Sequence, residues 1–391
     1  MRVLSDAPSR IGASLPAFAL TLPCPLATLA ANSPHAMNTK LLVALAATAA
    51  LFTACQTRVA PPAKELKVTP QANNLNAGFT VRPASGPLGT IERLDPALDA
   101  LLAKDAVIEK LAEGFDWSEG PVWMKGDYLL FSDVPLNTIF KWDARSGVTI
   151  FRSPSGYTGT TPRGGEPGSN GLTHDHQGQL IACQHGDRRV ARWENGQFVT
   201  VADRFEGKRF NSPNDVVVKS NGDIYFTDPP YGLPKNVNDP TKEIPFQGVY
   251  RVANGNVTLL TSEVTRPNGL AFSPDEKTLY VASSDPKKAI WMSYPVQADG
   301  TLGAGRVFFD ATGMQTGRKG LPDGLKVDQQ GNLWATGPGG VLILSPAGKH
   351  LGTLATGEAT ANCTWGDDGS TLYITADMFL CRVKTKVKGR L

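Results

Sequence analysis

A short motif recurs along the chain and constrains the fold more than any other feature. Segments open at Ser118-Glu119-Gly120-Pro121-Val122-Trp123, Ser169-Asn170-Gly171-Leu172, Pro213-Asn214-Asp215-Val216, Pro267-Asn268-Gly269-Leu270 and Pro322-Asp323-Gly324-Leu325, with a weaker sixth at Ala361-Asn362-Cys363-Thr364. Each opening runs into a short apolar strand and then a turn such as Gln177-Gly178 or Ser220-Asn221-Gly222-Asp223. A second strand follows every turn, as in Ile224-Tyr225-Phe226-Thr227-Asp228 and Leu372-Tyr373-Ile374-Thr375. Successive openings lie roughly forty to fifty-five residues apart, the period of propeller blades. Antiparallel sheets set radially leave only short edges exposed. The repeat therefore predicts an all-β chain, a six-bladed β-propeller. The strand Ala106 to Ala112 precedes the first repeat and is expected to complete the last blade and close the ring.

The rest of the 391 residues fits that plan. Gly 40 and Pro 29 suit many strands joined by tight turns. The net charge of +3 is small, and Lys and Arg form no runs interleaved with aromatics, so no nucleic-acid surface is indicated. The basic C-terminus from Lys384 to Arg390 reads as a solvated tail. Residues 1–55 read as a signal region with its true start at Met37. Lys40, the apolar run Leu41 to Phe52 and the small residues before Cys55 form a lipoprotein signal, which would leave lipid on Cys55. A plain cleaved secretory peptide is the alternative. The expected location is the bacterial cell envelope, as a periplasm-facing lipoprotein of the outer membrane, touching the membrane only through that N-terminal lipid anchor. Residues 56–94, rich in Pro, Ala and Asn, read as a flexible tether, and 95–391 as the propeller. Asp95-Pro96 is expected to cap a short helix reaching Lys104. Cys183, Cys363 and Cys381 read as buried free thiols, with a Cys363–Cys381 bridge as the alternative. Nothing in the sequence fixes an oligomeric state.

In a propeller the innermost strand of each blade lines the central channel, and the first residues of those strands meet at one mouth. Here they are Glu119, Asn170, Asn214, Asn268, Asp323 and Asn362. Any one Asn or Asp beside Gly or Pro commonly serves its own turn. A full set at equivalent positions, with a Glu that no turn needs, predicts a cage of hard oxygens. Calcium takes such ligands in irregular geometry. Zinc favours His or Cys, which the set lacks.

These motifs resemble those of the gluconolactonase and regucalcin (SMP-30/gluconolactonase/LRE-like) family, relatives of paraoxonases, from about Ala106 to about Lys384. The resemblance implies a six-bladed propeller with one catalytic divalent metal, calcium or another such as zinc or manganese, that hydrolyses sugar lactones. It assigns Glu119, Asn268 and Asp323 as direct metal ligands and Asn214 as the amide beside the metal. Asn214 thus belongs to the metal set and, with Asn170 and His185, to substrate binding. Asn170 stands where some paraoxonase-like relatives carry a catalytic His, which argues against a His-based mechanism. Asp323 is the expected base toward the attacking water. No Gly-X-Ser-X-Gly elbow is present, which disfavours a serine esterase. Two insertions, Ser155 to Gly168 and Pro230 to Phe246, are expected to cover the mouth. His174 and His176 read as structural, and Asp133 and Asp228 as turn caps. The alternatives are a calcium-dependent envelope scaffold without turnover, and a related esterase or organophosphate hydrolase.

Overall fold

A computed structural model describes residues 64–391; the start at Met37 and the lipidation site Cys55 lie outside the described residues. The described residues form six antiparallel sheets, each opened by one repeat, and a two-stranded hairpin of Arg204–Phe205 with Lys208–Arg209. Blade 1 runs Ser118–Met124, Tyr128–Asp133, Thr138–Asp143 and Gly147–Arg152, and blades 2 to 4 follow the same order. The inner strands of blades 2 to 6 are Ser169–His174, Val216–Val218, Pro267–Phe272, Leu325–Val327 and Thr360–Gly366. Burial is greatest in the second row of strands and least at the rim. Thr371–Ala376 in the second row is buried throughout, while Gly147–Arg152 at the rim is partly exposed. Both faces of a second-row strand such as Leu180–Gln184 meet a neighbouring blade, so it is buried throughout and reads as an apolar run rather than an alternation.

The core is divided accordingly. Six apolar clusters each draw on two adjacent blades. Between blades 6 and 1, Trp123 stacks on Tyr373 with centroids 5.1 Å apart. Between blades 5 and 6, Trp334 meets Trp365 edge-on at 5.3 Å. Aromatic pairs of this kind add roughly 0.5–1.5 kcal/mol beyond the area they bury.

The ring closes as expected: Glu109–Glu113 pairs antiparallel with Phe379–Lys384. The described part of the segment read as a tether, however, is largely built into the sheets. Phe79–Pro83 and Leu66–Val68 extend blade 6, and Thr90–Arg93 pairs with His350–Ala355 at the rim of blade 5. The rim strands offer unpaired backbone edges, and these segments cover two of them. The capped helix is shorter than expected, a 3-10 turn over Pro96–Ala100 with Asp95 Oδ1 accepting from the Ala97 N–H at 2.8 Å.

The C-terminus is not a solvated tail. Val387 is buried, Gly389 lies against the Trp365 ring, and the Gln329 N–H donates to the Lys388 carbonyl at 2.8 Å. Its basic residues are paired rather than free: Lys384 with Asp367, Lys388 with Asp368 and Arg390 with Glu276. Cys183, Cys363 and Cys381 are buried free thiols. A Cys363–Cys381 bridge is excluded by register, because both residues pair with Ile374 from opposite sides. They are therefore two strand spacings apart, roughly 9.5 Å, beyond disulfide reach.

Candidate active site

The repeat openings converge because of a local irregularity. The register slips between Glu119 and Val122, between Pro267 and Leu270, and between Thr360 and Asn362, and opposite Ser169–Leu172. A bulge of this kind re-aims a side chain out of the regular alternation. The glycine that follows the polar residue in four of the repeats, Gly120, Gly171, Gly269 and Gly324, serves a different need, close approach of neighbouring inner strands. A Cβ on Gly171 would lie 2.6 Å from the Asn214 carbonyl oxygen, and that carbonyl accepts from the Gly171 N–H at 2.7 Å. A Cβ on Gly324 would lie 2.0 Å from the Asn362 side chain.

Glu119, Asn170, Asn214, Asn268 and Asn362 are all buried at this mouth, with Asp323 slightly more open. Glu119 Oε2 accepts from the Gly120 N–H at 2.8 Å and faces Asn362 Nδ2 at 3.4 Å. The same Nδ2 lies 3.5 Å from Asp215 Oδ2. Asn268 donates through Nδ2 to Ser284 Oγ at 3.2 Å, and Ser284 in turn bonds the Tyr231 hydroxyl at 2.6 Å. Three oxygens remain sealed from solvent without a hydrogen-bond partner: Asn170 Oδ1, Asn214 Oδ1 and Asp323 Oδ1.

The electrostatics are those of a site short of positive charge. Burial raises the Glu119 carboxyl well above the usual carboxylate range, and Asp215 and Glu166 push it further. Burial, then Glu119, Asp215 and Glu166, does the same to Asp323. Buried oxygens without donors beside carboxyls raised by burial make a lining whose chemistry would suit a cation. Among the described residues no three His, Cys, Asp or Glu side chains close on one point. The polar side chains that do meet there, Glu119, Asn170, Asn214, Asn268 and Asp323, offer carboxylate and carboxamide oxygens, which suit a hard divalent ion.

His185 is fully buried. Its Nε2 faces Asn214 Nδ2 at 3.4 Å, and its Nδ1 faces Glu166 Oε2 at 3.4 Å. Both expected insertions border this mouth. Arg163 of the first donates to the Gly232 carbonyl of the second and lies over the Tyr157 ring. His174 and His176 bond backbone carbonyls, as structural residues do. Asp133 accepts from the Asp116 and Leu136 N–H groups, and Asp228 from those of Asn211 and Ser212, so both cap turns. A cavity of about 550 Å³ at the opposite end of the channel, bordered by Lys326 and Trp365, gathers no comparable set of unpartnered oxygens.

Asp215, Tyr231 and Ser284 escaped the sequence reading. Asp215 did leave a signal, since it stands where other repeats carry Gly171, Gly269 or Gly324. Tyr231 and Ser284 left none, because they reach the site from a loop and from a second-row strand.

Comparison with known proteins agrees with this architecture. Residues 117–377 match the SMP-30/gluconolactonase/LRE-like region. The chain is 41% identical over 329 residues to a gluconolactonase of Zymomonas mobilis subsp. mobilis, covering 81% of this chain and 90% of that one. It is 28% identical to regucalcin of Sus scrofa, over 68% of this chain and 84% of that one. A solved gluconolactonase from Xanthomonas campestris superposes with a TM-score of 0.66 at 31% identity, covering 77% of this chain and 97% of that one. The chain therefore belongs to the SMP-30/gluconolactonase/LRE-like family.

Proposed function

We propose that this protein is a metal-dependent lactonase that opens sugar lactones at the mouth bounded by Glu119, Asn214, Asn268 and Asp323. One observation carries the reading: two buried carboxyls converge with amide oxygens that have no partner. Similarity to gluconolactonases over most of the chain gives the substrate class. Glu119, Asn214, Asn268 and Asp323 would hold the ion, and calcium suits their oxygens best. When bound there, it would polarise the lactone carbonyl and offset charge developing on its oxygen. Asp323, ionised where a cation offsets the burial and neighbouring carboxyls that raise it, would accept the proton of the attacking water, its Oδ1 being the unpartnered carboxylate atom at the mouth. Asn170 and Asn214 orient the lactone through their amides. The Tyr231–Ser284 pair fixes Asn268 by taking its N–H, which leaves the amide oxygen for the channel. We further infer that the chain reaches the cell envelope as a lipoprotein anchored through Cys55, a reading supported by the segment from Met37 to Cys55.

The test is acid release from glucono-1,5-lactone by protein stripped with chelator and then supplied with calcium, zinc or manganese. Turnover restored by calcium is expected. Full turnover in chelator would sink the metal mechanism. Tight calcium binding without turnover on any lactone would favour a binding module instead.

A further inference from the structure

A buried histidine rarely sits between a carboxylate and a site amide without consequence, and here the chemistry of the three groups fixes their order. The Glu166 carboxylate can only accept, so the His185 nitrogen facing it, Nδ1, carries the proton. The neutral ring then offers Nε2 as an acceptor, and the Asn214 group facing Nε2 is Nδ2, a donor. With its N–H₂ turned to the histidine, Asn214 must present Oδ1 elsewhere, and Oδ1 is one of the three sealed oxygens without a partner. His185 Nδ1 completes no hydrogen bond in this geometry; the Glu166 carboxylate, 3.4 Å away, is the charged acceptor beside it, and the Nε2 contact with Asn214 is equally long. The residue is held in place: the His185 backbone N–H donates to the Gly168 carbonyl at 3.0 Å, and a Cβ on Gly232 would lie 2.4 Å from His185 Cβ and 2.6 Å from its Cγ.

We propose that Glu166 and His185 form a positioning relay that turns the Asn214 amide oxygen toward the reaction site. Glu166 is the adjustable end. Its side chain is 37% exposed and rides on the loop between Ser155 and Gly168. That loop is pinned from outside by the connection between Leu66–Val68 and Phe79–Pro83. The Arg163 N–H donates to the Asn73 carbonyl at 3.0 Å, the Leu75 N–H to the Arg163 carbonyl at 2.9 Å, and Asn76 Nδ2 to the Gly165 carbonyl at 2.9 Å. Loop position thus sets the histidine tautomer, and the tautomer sets the amide.

The inference rests on the lactonase reading only for its kinetic consequence, so the primary readout is the imidazole nitrogen spectrum of ¹⁵N-histidine protein without metal. Wild type should show His185 protonated at Nδ1. Glu166→Ala, at a half-exposed position, should shift it toward the Nε2-protonated form. Calcium affinity by calorimetry and kcat/KM on glucono-1,5-lactone should then fall about tenfold or more, the usual scale for outer partners of a metal site. Glu166→Gln keeps an acceptor oxygen and should recover the wild-type tautomer and affinity. An unchanged tautomer in Glu166→Ala overturns the relay. So does Glu166→Gln failing as badly as Glu166→Ala, which would mean that the charge and not the acceptor matters. Failure of the wild type to hydrolyse any lactone would count against the proposed function, while the tautomer and the calcium affinity still decide the relay.

Discussion

Asp323 and Asn268 open the inner strands of neighbouring blades, so near to each other that a Cβ on Gly269 would lie 2.2 Å from the Asp323 carbonyl oxygen. Their proposed work differs. Asp323 offers charge and basicity, Asn268 a neutral oxygen. Asp323→Asn keeps shape while removing both, and turnover at saturating calcium should fall about a hundredfold or more with little change in melting temperature. Asn268→Asp should still bind calcium and keep measurable activity. Near-wild-type rates for Asp323→Asn would refute the role of base. A structural carboxyl makes a separate prediction. Burial raises Asp133 to about 7, whereas an unfolded Asp titrates near 3.9. A raised acid stabilises the fold fully below the unfolded value and loses that contribution as pH rises through the folded value. Asp133→Asn leaves one of two backbone N–H groups facing an amide N–H₂, which costs roughly 1–3 kcal/mol at low pH. The stability gap between wild type and Asp133→Asn should narrow from about pH 4 to about pH 7. A gap that widens in denaturant melts over that range would show a charged, stabilising carboxylate.

At the level of the element, two features hold the inner ring together. One is the glycine after the polar residue in four of the six repeats. Gly171→Ala would place its Cβ 2.5 Å from Asp215 Oδ1 and 2.6 Å from the Asn214 carbonyl oxygen. Backbone cannot yield cheaply there, so overpacking should cost roughly 1–3 kcal/mol and lower calcium affinity together with stability. A Gly171→Ala protein with unchanged melting and binding would show that the strands can separate freely. The other is the C-terminal strap, which spans blades 4, 5 and 6 through Glu276, Gln329 and Gly369. Ending the chain after Thr385 removes Val387 from its buried site. This alone should cost about 1.5–3 kcal/mol, readable as a lower denaturation midpoint.

For the molecule as a whole, the channel mouth links ion binding to folding. An ion that binds only the native ring stabilises it by mass action, about 2.7 kcal/mol at a hundred times Kd. Calcium should therefore raise the melting temperature and chelator should lower it. A melting temperature indifferent to both would count against the ion as part of the native structure. The envelope proposal has its own readout. Cys55→Ser should release the protein from membranes, and a mature N-terminus beyond residue 55 without lipid would end it.

The repeat itself, read as one polar residue before each apolar strand, determined the six blades, the closing strand and the ring from Glu119 to Asn362. Such facts are legible because a blade is a local unit whose turns and strand lengths are written in contiguous residues. Tertiary structure alone decided where the tether and tail go, because a rim strand such as Thr90–Arg93 pairs with whatever edge the closed ring leaves open. It alone decided that Cys363 and Cys381 stay apart, since strand register places Ile374 between them. The same holds for Tyr231 and Ser284, and for the contacts that Glu166 and the sequence-read candidate His185 make. Their contacts with the ring depend on loop closure, which joins residues distant in sequence and leaves no period to read. Asp215 lies between these cases, visible as a carboxylate in a glycine's place but understood only once its oxygen is found beside Asn362.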